Sequence, residues 1–179
     1  MNELTSKQFY SILKSEEINP DDLPALVVKK FVKSKKILAT AESCTGGYIS
    51  KCVTEVSGSS GMFECGVCSY ANRIKTKVLG VDEQILSTVG AVSYETAKAM
   101  AEGVRALADS DVAVSTTGIA GPTGGTPEKP VGLVYIACAS DEGTEVYKCL
   151  LGDVENADRE KIRRAATDVA LWLALSAIN

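Results

Sequence analysis

The residues best suited to chemistry lie in one short stretch, Glu42-Ser43-Cys44-Thr45-Gly46-Gly47. It follows the apolar run 37–41, which suits a buried strand, and precedes Ile49, Cys52, Val53 and Val56 at helical spacing. The stretch is therefore a strand-to-helix turn. A helix start presents unpaired N–H groups and the positive end of the dipole, so a serine there meets donors for a developing oxyanion. Gly46 and Gly47 let a substrate approach the backbone closely. The same residues also suit a plain helix cap made by Ser43 or Thr45. A serine nucleophile needs a base. The chain contains no histidine. That removes Ser-His-Asp and Cys-His systems, histidine-ligated zinc and haem, and histidine general bases. Lysine is the natural substitute, and Lys75 stands five residues after Tyr70 in Ser69-Tyr70-Ala71-Asn72-Arg73-Ile74-Lys75. An ammonium lowers the pKa of a neighbouring phenol, so Tyr70 can relay a proton, or a desolvated Lys75 can act directly. The plainer alternative is an interfacial tyrosine and a surface lysine.

A second candidate is the loop 117–126, with four glycines and a proline in its last nine residues: Thr117-Gly118-Ile119-Ala120-Gly121-Pro122-Thr123-Gly124-Gly125-Thr126. Such loops bind phosphates or a flat ring through backbone donors. No Gly-Lys-Ser/Thr follows it and no helical pattern follows it, so it is neither a Walker A loop nor a dinucleotide fingerprint. Arg159, Arg163 and Arg164 offer guanidinium partners for a phosphate, or simply solvated helix charge. The six cysteines include one C-x-x-C, Cys65 and Cys68. A structural zinc site needs four ligands and no second C-x-x-C exists. On a strand the two would point to opposite faces, so packed, inert free thiols are expected.

The elements that must position these residues follow from periodicity. The first 22 residues are expected to be a helical arm or extra helix. A helix is expected to start at Asp21-Asp22 and end at Lys35-Lys36. Segment 62–71 reads as a strand, with a short helix through Lys75 to Leu79. Ser93 suits an N-cap, and Ala97, Met100, Ala101, Val104 and Ala108 line one helix face. Segments 111–117, 131–139 and 144–151 read as strands, the last two as a hairpin across the turn 140–143. Ile162, Ala165, Ala166, Val169, Trp172 and Leu173 make a C-terminal amphipathic helix. Alternating helices and strands with one hairpin give an α/β layered fold with a mixed sheet.

Composition agrees with a single domain. The chain has 179 residues, 45% hydrophobic and 23% charged, with a formal charge of −4. A chain of that length can bury roughly 70% of its unfolded surface. The charge argues against a nucleic-acid partner. No apolar stretch is long enough to span a bilayer and the first residues carry no secretory signal, so no membrane partner and a cytoplasmic location are expected.

The motifs occur in order: Ala39-Thr40-Ala41-Glu42-Ser43-Cys44-Thr45-Gly46-Gly47, Gly58-Ser59-Ser60, Ser69-Tyr70-Ala71-Asn72 followed by Lys75, Leu79-Gly80-Val81, Gly90-Ala91-Val92-Ser93, Met100-Ala101-Glu102-Gly103, Thr117 to Pro122, and Glu128-Lys129-Pro130-Val131-Gly132. Together they resemble the C-terminal domain of the CinA (competence/damage-inducible) family, from about residue 23 to 179. The resemblance implies a three-layer α/β/α sandwich. For active members it implies hydrolysis of the carboxamide of nicotinamide mononucleotide to nicotinate mononucleotide and ammonia. It also implies Ser43 as nucleophile and Tyr70 and Lys75 as its partners. The loop that begins at Thr117 and Gly118 is expected at the substrate, with Asn72 and Arg159. The oxyanion is expected on the backbone amides of Cys44, Thr45 and Gly46. Neither metal nor cofactor is required, the ligand is a pyridine mononucleotide, and a homodimer is plausible by resemblance. Two departures stand out. Longer relatives carry an N-terminal molybdopterin-binding-like domain, for which this chain has no room, so its pyrophosphatase activity is not expected. The family's contiguous Gly-Asp-Arg is here Gly152-Asp153 with the arginine displaced to Arg159. Two rival readings remain: Cys44 as the nucleophile, with Glu42 and Lys75 nearby, or a binding module that keeps the pocket without turnover.

Overall fold

The computed structural model describes residues 2–178. Met1 and Asn179, the outer limits of the two segments expected from the sequence, lie outside the described residues. Six strands form one mixed sheet: β1 (Asn2–Thr5), β2 (Leu38–Glu42), β3 (Phe63–Cys68), β4 (Val112–Gly118), β5 (Leu133–Ser140) and β6 (Gly143–Leu150). Their spatial order is β1-β6-β5-β4-β2-β3. β2 runs parallel to both β3 and β4, β5 is antiparallel to β4 and β6, and β1 is parallel to β6.

All five residues of β2 are buried. A strand buried on both faces needs a layer on each side, and the helices supply them. One layer holds α1 (Ser6–Ser15), α2 (Leu23–Ser34), α3 (Tyr48–Thr54) and α7 (Arg159–Ser176). Its core joins Phe9, Leu13, Phe31, Leu38, Ile49, Val114, Ile136 and Val169. The other layer holds α4 (Asn72–Leu79), α5 (Glu83–Thr88) and α6 (Tyr94–Ala108). There small side chains meet: Ala97 and Ala101 of α6 against Ala137 and Ala139 of β5. Gly103 lets α6 press on the end of α4, since a Cβ there would stand 1.9 Å from the Leu79 carbonyl oxygen. The fold is the expected α/β/α sandwich.

The N-terminal residues depart from a simple helical arm. Asn2–Thr5 add an edge strand, with Asn2 opposite Tyr147 and Thr5 opposite Leu150. Phe9 and Leu13 of α1 are fully buried, and Phe9 packs edge-on to Trp172 with centroids 5.9 Å apart. The short helix expected through 75–79 starts earlier, at Asn72, and α5 has no counterpart in the sequence reading.

The topology fixes where a site can form. From β2 the chain leaves through α3 into one layer, and from β3 it leaves through α4 into the other. This switch opens a crevice at the carboxyl ends of β2, β3 and β4, the place where open α/β sheets bind ligands.

Candidate active site

The crevice collects residues from all three strand ends. A cavity of about 190 Å³ is lined by Ser43, Cys44, Tyr70, Asn72, Lys75, Ala91, Val92, Thr117, Gly118, Ala120 and Arg159. Eight of the ten site residues expected from the sequence therefore share one cavity. Thr45 and Gly46 are outside its lining.

Ser43 follows the last residue of β2, and its amide donates to the Thr116 carbonyl at 3.0 Å. Lys75 lies in α4, within the short helix expected through 75–79. Only 1% of Lys75 is exposed. Its Nζ donates to Ser43 Oγ at 3.0 Å and to the Ser69 carbonyl at 2.7 Å. Burial pushes the Lys75 ammonium below the usual lysine range. No carboxylate pairs with it among the described residues. A buried, carboxylate-free amine in contact with a serine hydroxyl is a geometry in which the hydroxyl can act as nucleophile and the neutral amine as base.

Tyr70 shares the cavity with Ser43 and Lys75 but bonds to neither. Tyr70 is 65% exposed. Its hydroxyl accepts from Arg159 Nη2 at 3.1 Å and has no hydrogen bond to Lys75 or Ser43. Lys75 reaches Ser43 directly, because α4 carries it inward while Tyr70 stays in the loop before that helix. Arg159, despite its displacement in sequence, is brought to the cavity as the first residue of α7, and its Nη1 donates to the Gly121 carbonyl at 2.8 Å. Thr117 is buried and its hydroxyl is committed to the Ala91 carbonyl at 2.6 Å.

The three residues expected to hold the oxyanion lie in the turn ahead of α3. Cys44, Thr45 and Gly46 precede the helix, which begins at Tyr48. The first-turn amides of that helix are taken by Glu42, fully buried, whose carboxylate accepts from Gly47 N (2.9 Å), Ile49 N (3.1 Å), Ser50 N (2.8 Å) and Ser50 Oγ (2.7 Å). The positive end of α3 is thus already satisfied inside the protein. Gly46 and Gly47 turn the chain with φ of +61° and +94°, a region glycine enters at no steric cost. Among the described residues, the amides of Cys44, Thr45 and Gly46 have no hydrogen bond to a protein oxygen, and of the three only Cys44 lines the cavity.

Arg163, expected only as a phosphate partner or solvated charge, holds this turn, and Lys129 braces the segment 89–92. Arg163 forks onto the Thr45 carbonyl through Nε (3.1 Å) and Nη2 (2.6 Å) and stacks over Tyr48 at 5.4 Å. Lys129 donates to the Val89 and Val92 carbonyls at 3.0 and 2.8 Å, tying the glycine loop to the segment that supplies Ala91 and Val92. Arg164 bonds Asp21 instead. Of the three arginines, one lines the cavity and one supports its wall.

All six cysteines are free. Cys65 and Cys68 lie on opposite faces of β3, and Cys68 is exposed rather than packed. Burial pushes the Cys44 thiol up to about 12, which leaves little thiolate at neutral pH. A cleft of about 410 Å³ at the far end of the sheet is lined by Cys138, Tyr147 and Trp172 among others. Its one thiol is likewise raised to about 12. Among the described residues no helix is long and apolar enough to cross a membrane.

The fold is an α/β sandwich with a buried Ser–Lys pair at the carboxyl ends of its parallel strands. The family model for the CinA C-terminal domain matches residues 20–178, and the chain belongs to this family. A competence-damage inducible protein of Thermoanaerobacter sp. (strain X514) is 53% identical over 146 residues, 82% of this chain and 34% of that protein. A CinA-like protein of Endomicrobium trichonymphae is 47% identical over 153 residues, 86% of this chain and 35% of its own length. The chain thus spans about a third of the curated relatives it matches. Among solved structures, the competence/damage inducible protein CihA from Agrobacterium tumefaciens superposes with a TM-score of 0.85 at 38% identity, over 89% of this chain and 96% of that one. The CinA superfamily protein ECK1530/EC0983 from Escherichia coli gives 0.80 at 28% identity, over 87% and 88%.

Proposed function

We propose that this chain is a serine amidohydrolase that converts nicotinamide mononucleotide to nicotinate mononucleotide and ammonia. The observation that carries the reading is Lys75 Nζ, buried and 3.0 Å from Ser43 Oγ. Ser43 Oγ attacks the carboxamide carbon while its proton passes to neutral Lys75. The carbonyl oxygen becomes an oxyanion, and the free amide of Cys44 is the donor nearest the nucleophile in sequence. Collapse breaks the C–N bond, and Lys75 gives its proton to the departing nitrogen, which leaves as ammonia. Water then attacks the Ser43 ester, again losing a proton to Lys75, and nicotinate mononucleotide leaves as Ser43 recovers its hydrogen. The positive pyridinium nitrogen makes the carboxamide more electrophilic. Arg159 is the cation available to the phosphate. Ammonia release from nicotinamide mononucleotide by the wild type, with none from Ser43→Ala, is the expected outcome. Retained release by a folded Ser43→Ala protein refutes the assignment.

The rival cysteine reading has less support, since the Cys44 thiol is raised by burial and Lys75 bonds the serine.

A further inference from the structure

The cavity around Ser43 and Lys75 measures about 190 Å³. Ligand sites for molecules of nucleotide size usually occupy about 300–1,000 Å³. The Ser43 cavity alone therefore accommodates the carboxamide end of a ligand and little more. A second cleft of about 500 Å³ adjoins it, lined by Ala120, Pro122, Val131, Gly152, Ala157, Asp158, Arg159 and Ile162. The two share Ala120 and Arg159.

The chemistry of the two spaces differs. The first carries the hydroxyl and amine. The second is walled by alanine, proline, valine and isoleucine, with Arg159 at the border. Its one carboxylate, Asp158, is turned to the Lys161 amide at 2.8 Å as the cap of α7. Arg159 spends one N–H on Gly121 and one on Tyr70. A guanidinium has five N–H donors, so others remain for an anion.

We propose that the apolar cleft is a ligand subsite for an apolar or aromatic group joined, through an anionic phosphoester at Arg159, to the end that enters the Ser43 cavity. The inference rests on reading the Ser43 cavity as the carboxamide site, and extends the substrate class from simple mononucleotides to phosphodiesters with an apolar or aromatic arm. The sequence of contacts is then carboxamide at Ser43, phosphoester at Arg159, and ring against Pro122, Val131 and Ile162.

Benzyl phosphate tests the subsite without any carboxamide chemistry. Its affinity and that of inorganic phosphate are measured by calorimetry on the wild type and on Ala157→Trp, which fills the cleft from an exposed loop position. Ala157→Asp, which places a charge in the same lining, is the second variant should the tryptophan disturb folding. The expected result is about tenfold tighter binding of benzyl phosphate than of phosphate by the wild type. That corresponds to burying part of one ring. The ratio falls to about one in the Ala157 variants, and Arg159→Ala weakens both ligands. No preference for the benzyl ester, no binding of either ligand, or a preference that survives both Ala157 variants overturns the proposal. Ammonia release from the mononucleotide without benzyl preference sinks the subsite alone. Benzyl preference without ammonia release sinks the deamidase reading and leaves the subsite.

Discussion

Replacing Lys75 with methionine separates chemistry from stability at one position. Methionine keeps most of the buried stem and removes the amine. The lost base is worth about 10²–10⁴-fold in turnover, or roughly 3–5 kcal/mol of barrier at 1.36 kcal/mol per decade. Stability moves much less. The Ser69 carbonyl loses its 2.7 Å donor, which costs about 1–3 kcal/mol. Against that, the fold no longer houses a buried amine whose ammonium form is disfavoured. The sign of that second effect follows from linkage. With the folded pKa below the unfolded one, the penalty is full below the folded pKa and disappears above the ordinary lysine value. Lys75→Met therefore gains stability relative to wild type as pH falls. Steady-state ammonia release and thermal unfolding, each followed across pH, are the assays. Wild-type kcat/KM rises with pH as Lys75 loses its proton, through a limb set lower than that of an ordinary lysine, and the variant lacks this limb. Ser43→Ala and Ser43→Ala/Lys75→Met should be equally inactive, because nucleophile and base act as a unit. Turnover within about fivefold of wild type in Lys75→Met, or the same pH limb in that variant, refutes the reasoning.

Other perturbations have defined outcomes. Glu42→Gln sets an amide nitrogen against the Gly47 and Ile49 donors, and should cost about 1–3 kcal/mol in denaturant unfolding together with turnover. Arg163→Lys keeps the charge but loses the fork on the Thr45 carbonyl; kcat should fall several-fold more than KM changes, and an unaltered kcat would contradict its role in holding the turn. Cys44→Ser should cost less than about tenfold in turnover, whereas loss equal to Ser43→Ala would favour the thiol. Burial raises Asp168 to about 7, while Tyr10, donating at 3.0 Å, and Arg164 pull it back and Asp21 pushes it up. Its folded pKa exceeds the unfolded one, so the fold loses stability between about pH 4 and 7, at up to about 1.4 kcal/mol per unit. Asp168→Asn should flatten that decline in a thermal melt series; an identical decline would show that another group causes it.

Much of this was legible in the sequence because the signals were local. The run 37–41 and the spacing after Gly47 placed the strand-to-helix turn, and the missing histidine pointed to lysine. Ser93 and the alanines of α6 marked a helix that the structure contains. Failures came where the signal was short or non-local. Asn2–Thr5 has one buried residue in four, too little alternation to announce an edge strand. Its pairing with β6 lies some 145 residues away. The destination of the Tyr70 hydroxyl depends on Arg159 from the opposite end of the chain. Glu42 stood in the motif as a neighbour of the serine, yet its task of capping α3 is set by a turn with two positive-φ glycines. A carboxylate directly before a glycine-rich helix start was the available clue. Arg163 was visible only as one of three arginines, and helical phase alone did not say which faced the turn.

The central claim is that Ser43 is the nucleophile. Rapid acid quench of the wild type during turnover of nicotinamide mononucleotide, followed by mass spectrometry with fragmentation of the peptide that contains Ser43 and Cys44, tests it most directly. The account predicts an ester of the pyridine carboxyl group on Ser43, absent from Ser43→Ala. An adduct on Cys44, or turnover by Ser43→Ala, would contradict it.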